Sequence, residues 1–213
     1  MNDGTFDELV KIAGPVSRET FSVLQDFLVE FQRWNRVTNL VASSTVEELW
    51  DRHVLDSAQL RRLSPPTTRW VDLGSGGGFP GLILAILLRE TPGAHVHLIE
   101  SNRKKASFLQ TMTGLFALPA TVHAQRIEDA CAKIEPPQAV SSRALASLTQ
   151  LLGLAEPFLS GGAVGLFHKG REYRREIEES SHSWSYDLIE HASAVESQSV
   201  ILEISGLKRI RPN

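Results

Sequence analysis

The segment 71–81 reads Val-Asp-Leu-Gly-Ser-Gly-Gly-Gly-Phe-Pro-Gly, and no other stretch restricts the possible folds so strongly. Residues 70–73 carry apolar side chains around Asp72, which predicts a short strand running into the glycines. Residues 81–88 are apolar on every side, which predicts a buried helix leaving them. Glycine lets a chain turn sharply and lets its backbone approach a ligand closely. The free N–H groups at the start of the helix then face the carboxyl end of the strand, where open α/β sheets bind ligands. Glu100 closes the next predicted strand, 26 residues after Gly74. An acid there is placed to accept hydrogen bonds from ribose hydroxyls.

Glycine spacing alone does not choose the nucleotide, because Gly76, Gly78 and Gly81 also fit the GxGxxG of dinucleotide enzymes. Three features favour S-adenosylmethionine (AdoMet). Asp72 lies two residues before Gly74, where a carboxylate would repel a pyrophosphate but suits the positive charge of a methionyl group. The loop arrives only after a long helical stretch, whereas dinucleotide folds usually begin with it. No Tyr-x-x-x-Lys hydride-transfer set follows. We therefore expect AdoMet as cofactor, with Asp72, Gly74, Gly76 and Glu100 in its site.

Residues 1–64 carry helical signals only. Phe21, Leu24, Phe27, Leu28, Phe31 and Trp34 recur at three- and four-residue spacing and make one apolar face, with Ser17 as its N-cap. A second helix is expected from Ser44, where Ser44 and Glu47 form a capping box. It should run through Leu49, His53, Asp56 and Leu60 to the break at Ser64-Pro65-Pro66. Beyond it, strands at 70–73, 95–99, 120–124, 138–142 and 163–168 alternate with helices at 81–88, 104–115, 147–159 and 173–181. Ser147 and Gln150 form the capping box of the third of these helices. Strands at 185–192 and 199–204 end the chain without a helix between them, which predicts an antiparallel hairpin. The alternation means a parallel sheet covered on both faces. The expected fold is α/β: a Rossmann-like, class I AdoMet-dependent methyltransferase with a seven-stranded, mostly parallel sheet. Residues 1–64 form an N-terminal helical extension packed on a main domain of 65–213.

The 213 residues suffice for such a domain. The longest apolar run, 82–88, is far short of the roughly 20 residues of a membrane span. Asp3, Asp7 and Glu8 stand where a signal peptide would be basic. Cys131 is the only cysteine, which excludes an intrachain disulfide and fits a reducing compartment. A cytoplasmic monomer that touches no membrane is expected. The net charge of −3 announces no nucleic-acid binder, so any such contact must come from clustered basic residues.

The chain resembles the RsmG family, also called glucose-inhibited division protein B. The residues that carry this are Trp34-Asn35, Asn39-Leu40, Arg52-His53-Val54-Leu55-Asp56-Ser57, the 71–81 loop, Ser142-Arg143-Ala144 and Lys169-Gly170. The resemblance spans 24–204. It implies a guanine-N7 methyltransferase of bacterial small-subunit (16S) ribosomal RNA, acting on one guanine near the decoding centre. The implied partner is 16S rRNA, either naked or within a small ribosomal subunit. The implied cofactor site holds Gly74, Phe79, Ile127, Glu128 and Arg143, with Glu100 as the ribose acid. Two positions depart from the family: Val41 where Thr is common, and His168 where an apolar residue is more usual.

Missing motifs narrow the reaction. Exocyclic amine methylation typically uses an Asn/Asp-Pro-Pro-aromatic turn after the fourth strand, and this chain has Ser141-Ser142-Arg143-Ala144. Base C5 methylation needs a cysteine nucleophile, and Cys131 sits outside the usual positions and reads as packing. Guanine N7 already carries a free lone pair, so no catalytic acid or base is expected. Candidate RNA contacts are Arg52 and His53 on the second helix, Arg103, Lys104 and Lys105 after Glu100, and Lys169 after the fifth strand. Arg33, Arg36, Arg171, Lys208, Arg209 and Arg211 are weaker candidates. Arg174 and Arg175, beside Glu176, Glu178 and Glu179, read as a solvated ion-paired surface. His53 and Asp56 lack a third ligand at suitable spacing, so they read as a link between helix and main domain rather than a metal site. Trp34 reads as core. Two other readings stay open: an AdoMet-dependent methyltransferase of another RNA, protein or small molecule, and a non-catalytic nucleotide-binding regulator.

Overall fold

A computed structural model describes residues 3–42, 48–64 and 66–210. Its strands are β1 (Arg69–Leu73), β2 (His95–Ile99), β3 (Ala120–His123), β4 (Ala139–Arg143), β5 (Val164–Lys169), β6 (Trp184–Ala192) and β7 (Val200–Arg209). They form one sheet in the order β3-β2-β1-β4-β5-β7-β6. Strands β1 to β5 pair in parallel, and β7 enters antiparallel between β5 and β6. This is the expected α/β sheet with its terminal hairpin. The chain changes direction of travel across the sheet between β1 and β4, so a crevice opens beyond Leu73 and Arg143. β7 runs to Arg209, well past the predicted end at 204, because its pairing with β6 continues to Trp184. Ladder pairing, which a local pattern cannot reveal, decides that extension.

Helix α5 (Gly81–Leu87) is buried at every residue. Its all-round apolar sequence has a direct cause: it packs against β2 on one side and against the N-terminal helices on the other. Among these, α2 (Arg18–Thr38) starts at Ser17, whose hydroxyl accepts the Thr20 N–H at 3.0 Å. It buries the predicted face through Phe21, Leu24, Phe27, Leu28 and Phe31. Phe31 meets Phe79 of the glycine loop at 5.1 Å and Phe108 of α6 (Arg103–Leu115) at 5.8 Å between centroids. Trp34 packs on Phe108 at 5.7 Å. Helix α1 (Asp3–Ala13) adds Leu9 and Ala13 to the same core. Each such fully buried aliphatic or aromatic side chain contributes about 1.5–3 kcal/mol. One core therefore runs without a break from Leu9 through Phe31 to Leu82 and Leu98.

The second helix departs from expectation. The Ser44–Glu47 capping box lies outside the described residues. In place of one continuous helix the chain forms a π-helical turn, Trp50–Leu55, then two short pieces, α3 (Asp56–Ala58) and α4 (Leu60–Leu63). The Asp56 N–H reaches five residues back to the Asp51 carbonyl. A π turn holds more residues than an α turn, and such turns cluster at functional sites. On the opposite face of the sheet lie α7 (Ile127–Ala130) and α8 (Leu148–Leu159), which cover a second core around Val71, Val140 and Phe167. Ser147 stands at the N-cap of α8 but makes no capping bond. Glu176, on α9 (Tyr173–Ser181), takes its place and accepts the Leu148 N–H at 2.6 Å.

Candidate active site

Two neighbouring cavities open beyond the carboxyl ends of the strands. The first, of about 310 Å³, is bordered by Gly74, Gly76, Ile99, Glu100, Ser101, Lys105, Gln125, Arg126, Ile127, Glu128, Ala144, Leu145 and Leu154. Gly74 and Gly76 have φ of 68° and 52°, where side chains are rarely tolerated. A Cβ on Gly76 would meet nothing within 4 Å except the Gly74 carbonyl at 3.6 Å, so the space above it is open to a ligand. Glu100 is buried and braces this loop: Oε2 accepts the Gly76 N–H at 2.9 Å and Oε1 the Asn102 N–H at 2.6 Å. A carboxylate has roughly four acceptor positions. Two backbone bonds therefore leave capacity for ribose hydroxyls. Open glycine backbone, a braced acid and the apolar Ile99 and Ile127 fit an adenosyl group.

Five of the eight cofactor residues expected from the sequence meet here: Gly74, Gly76, Glu100, Ile127 and Glu128. Asp72 lies elsewhere. It is fully buried beneath the loop, with Oδ1 accepting the Ser141 hydroxyl at 2.8 Å, and burial pushes its pKa up to about 6. A Cβ on Gly81 would come within 2.6 Å of its Oδ2, so Asp72 packs tightly beneath the start of α5 rather than lining the cavity itself. The Phe79 ring also turns inward, into the aromatic cluster with Phe27 and Phe31. Leu145 borders this cavity without having been singled out in the sequence; its signal, an apolar residue after Ser-Arg-Ala, is too common to stand out.

Arg143 borders the second cavity instead, of about 390 Å³, with Arg52, His53, Asp56, His168, Lys169 and Glu176 among its walls. The π turn brings three groups to the Arg143 guanidinium. Nη1 donates to the Arg52 carbonyl at 2.8 Å and lies 3.4 Å from Asp56 Oδ2, and Nη2 donates to His53 Nδ1 at 2.5 Å. His53 and Asp56 do tie the helical region to the sheet, but through Arg143 rather than through each other. Donation into Nδ1 requires the His53 proton on Nε2. Burial first, then Arg143 and Arg52, pull the His53 pKa down to about 4, which favours the neutral ring that accepts from Arg143. It stacks on Phe79 at 5.0 Å. His168 donates Nε2–H to the Asp56 carbonyl at 2.9 Å, which gives the unusual histidine a bridging role between β5 and α3.

Lys169 is buried, not presented on a rim. Its ammonium donates to the Ala146 carbonyl at 2.8 Å and to Glu176 at 2.7 Å. The helix after β2 behaves differently: Arg103 and Lys104 are exposed and have no acid partner among the described residues, and Lys105 borders the first cavity. Arg52 is half-exposed between Glu48 and Glu196. Arg174, Arg175 and Arg209 are held by Glu190, Glu179 and Glu156. Arg211 lies outside the described residues. Cys131 packs below α7, with its thiol on the Ile127 carbonyl. Among the described residues no group of three or more metal-ligating side chains is placed to hold an ion, and no helix is long and apolar enough to cross a membrane.

Solved structures share this fold at low sequence identity. The O-methyltransferase TomG from Streptomyces achromogenes, in complex with SAM, superposes with a TM-score of 0.57 at 15% identity, over 84% of this chain and 90% of that one. Cofactor-bound Rv0187 from MTB gives 0.57 at 14% identity, over 95% and 94%. Sequence similarity is far closer to proteins called ribosomal RNA small subunit methyltransferase G. That of Chelativorans sp. (strain BNC1) is 55% identical over 205 residues, covering 96% of this chain and 98% of the relative. That of Brucella canis is 53% identical over 207 residues, covering 97% of each. The sequence profile of the GidB family, rRNA small subunit methyltransferase G, matches residues 20–204. With the family profile matching most of its length and relatives more than half identical over nearly all of it, this chain belongs to the rRNA small subunit methyltransferase G family.

Proposed function

We propose that the protein transfers a methyl group from AdoMet to N7 of one guanine in small-subunit ribosomal RNA. Membership of the family makes it an AdoMet-dependent methyltransferase of small-subunit rRNA. The choice of N7, near the decoding centre, is our reading of the acceptor. The observation that supports it best is the pair of adjoining cavities, one fitted to the cofactor and one beside it, which share Ala144. AdoMet supplies an electrophilic methyl on a sulfonium when bound. The chain's own residues have to bind, orient and exclude water. Guanine N7 has an in-plane lone pair and no proton to remove, so holding it about 3–3.5 Å from the methyl carbon is the main demand. Several of the cleft's ionisable groups are already engaged: His53 and Asp56 on Arg143, and Lys169 on Glu176.

In this reading Gly74 and Gly76 admit the cofactor, Glu100 holds its ribose, and Ile127 and Glu128 flank its adenine. Arg143 acts at one remove, setting the wall between the cavities. Arg52, Arg103 and Lys104 meet RNA phosphates, with Lys105 at the cofactor edge. Residues 1–64 serve as a helical extension that closes the acceptor cavity with its π turn, and the protein works as a cytoplasmic monomer on rRNA or the small subunit. The test is to incubate the protein with radiolabelled AdoMet and small subunits from a strain lacking the activity, then map the modified nucleotide. Label at a guanine, released as 7-methylguanine, is expected. Label on another atom or another base rejects the proposal.

A further inference from the structure

The methyl group has to cross from one cavity to the other, and the loop after β4 stands at that junction. Ala144 borders both cavities. It has a φ of 52°, a conformation that residues with a side chain rarely adopt. Both ends of the loop are held by cations, the partly buried Arg143 and the buried Lys169. Arg143 fixes the first end through the Arg52 carbonyl, Asp56 and His53. Lys169 fixes the second through the Ala146 carbonyl, and is itself held by Glu176. Between these two clamps lies Leu145, 36% exposed despite its apolar side chain. It borders the cofactor cavity and lies against the glycine turn so closely that a Cβ on Gly74 would be 2.6 Å from its Cδ1. The clamped, unusual backbone thus holds a partly uncovered apolar side chain on the wall of the cofactor cavity, one residue from Ala144, which borders both cavities.

We infer that Leu145 is a positioning residue for methyl transfer: its side chain is the apolar stop against which the acceptor base is seated in line with the donor methyl. The inference rests on the methyltransferase reading but not on the identity of the acceptor atom. It also gives a purpose to two cations that are spent on holding this loop, Arg143 on the π turn and Asp56, and Lys169 on the Ala146 carbonyl and Glu176. A fixed stop is useful only if its backbone does not yield.

The test compares wild type, Leu145→Ala and Leu145→Met in single-turnover methylation at saturating AdoMet and RNA, using whichever acceptor the mapping experiment identifies. AdoMet affinity is measured by calorimetry and folding by thermal melting. Leu145→Ala is expected to slow the saturated rate at least tenfold, since misplacing reacting groups by about 1 Å can cost about a hundredfold. Because Leu145 also borders the cofactor cavity, the rate is read at AdoMet concentrations that saturate each variant; there the slow rate should persist, melting should be unchanged, and Leu145→Met should restore most of the rate. A saturated rate within threefold of wild type overturns the inference, as does a rate that recovers fully once AdoMet is raised. Wild-type label on an acceptor other than guanine N7 counts against the acceptor reading alone. Complete inactivity of wild type on every acceptor rejects both.

Discussion

Glu100 shows how one side chain can serve two purposes at once. Its carboxylate braces the glycine turn through Gly76 and the start of α6 through Asn102, and its remaining lone pairs face the cofactor cavity. Glu100→Ala should therefore weaken AdoMet binding by about 1–3 kcal/mol. Glu100→Gln should be nearly as harmful, because its amide nitrogen would oppose one of the two backbone N–H groups. Calorimetry that finds wild-type affinity in either variant would remove Glu100 from the site. A second residue-scale expectation concerns the two histidines of the cleft. His53 is held near a pKa of 4, and burial also lowers that of His168. Neither titrates between about pH 6.5 and 8.5 in the folded protein, so single-turnover methylation should be nearly flat over that window. A single titration in it, abolished by one His, Asp or Glu substitution without loss of binding, would reveal a base and exclude guanine N7 as acceptor.

At the scale of elements, α8 depends on α9 for its start. Glu176 accepts the first N–H of α8 and neutralises the buried Lys169, so it satisfies two buried polar groups together. Glu176→Ala should cost about 3 kcal/mol, because the ammonium is left buried without its carboxylate. Lys169→Met should cost less, since Glu176 keeps the Leu148 N–H and its carboxylate is less buried than the ammonium. Equal urea midpoints for Glu176→Ala and wild type would contradict this. The same contact marks where local reading fails. Ser147 and Gln150 have the spacing of a capping box, yet the cap comes from 28 residues away. Strands β1 to β5 and helices α2, α5 and α6 were legible because burial imposes periods of two, of 3.6 or none on their sequences. The π turn was not legible, since the sequence around His53 fits an ordinary helix and the extra residue answers to Arg143, far along the chain. Likewise Gly74, Gly76 and Glu100 announce a cofactor by type and spacing. Asp72 and Phe79 sit in the same motif, but only packing reveals that one props the loop and the other fills the core.

The whole molecule carries one further consequence of its wholly and partly buried histidines. Besides His53, His97 is held near a pKa of 4 by burial and by the neighbouring His95 and His123, and His123 and His168 are also lowered, chiefly by burial. His97 and His123 lie 3.0 Å apart across β2 and β3, so one ring must donate and the other accept, which two protonated rings cannot do. In the unfolded chain each of these residues titrates near 6.5. Their folded values are depressed, for His53 and His97 to about 4, so below about pH 6.5 the unfolded state binds more protons, and acidification favours unfolding. The stability they supply is fully present above about pH 6.5 and is lost as pH falls towards 4. Asp72 acts in the opposite sense. Its folded pKa, raised to about 6, means that ionisation costs stability as pH rises from about 4 to 6, so acid relieves it. Four histidines oppose one aspartate, and the net expectation is a steady loss of stability on acidification. Urea unfolding at pH 7.5, 6 and 5 should give progressively lower midpoints with an unchanged denaturant slope. His97→Gln, which keeps a neutral hydrogen-bonding group on β2, should lose less between pH 7.5 and 5 than wild type does. Constant or rising midpoints towards pH 5 would show that these rings are not held neutral by the fold, and an unaltered loss in His97→Gln would place the acid sensitivity elsewhere in the chain.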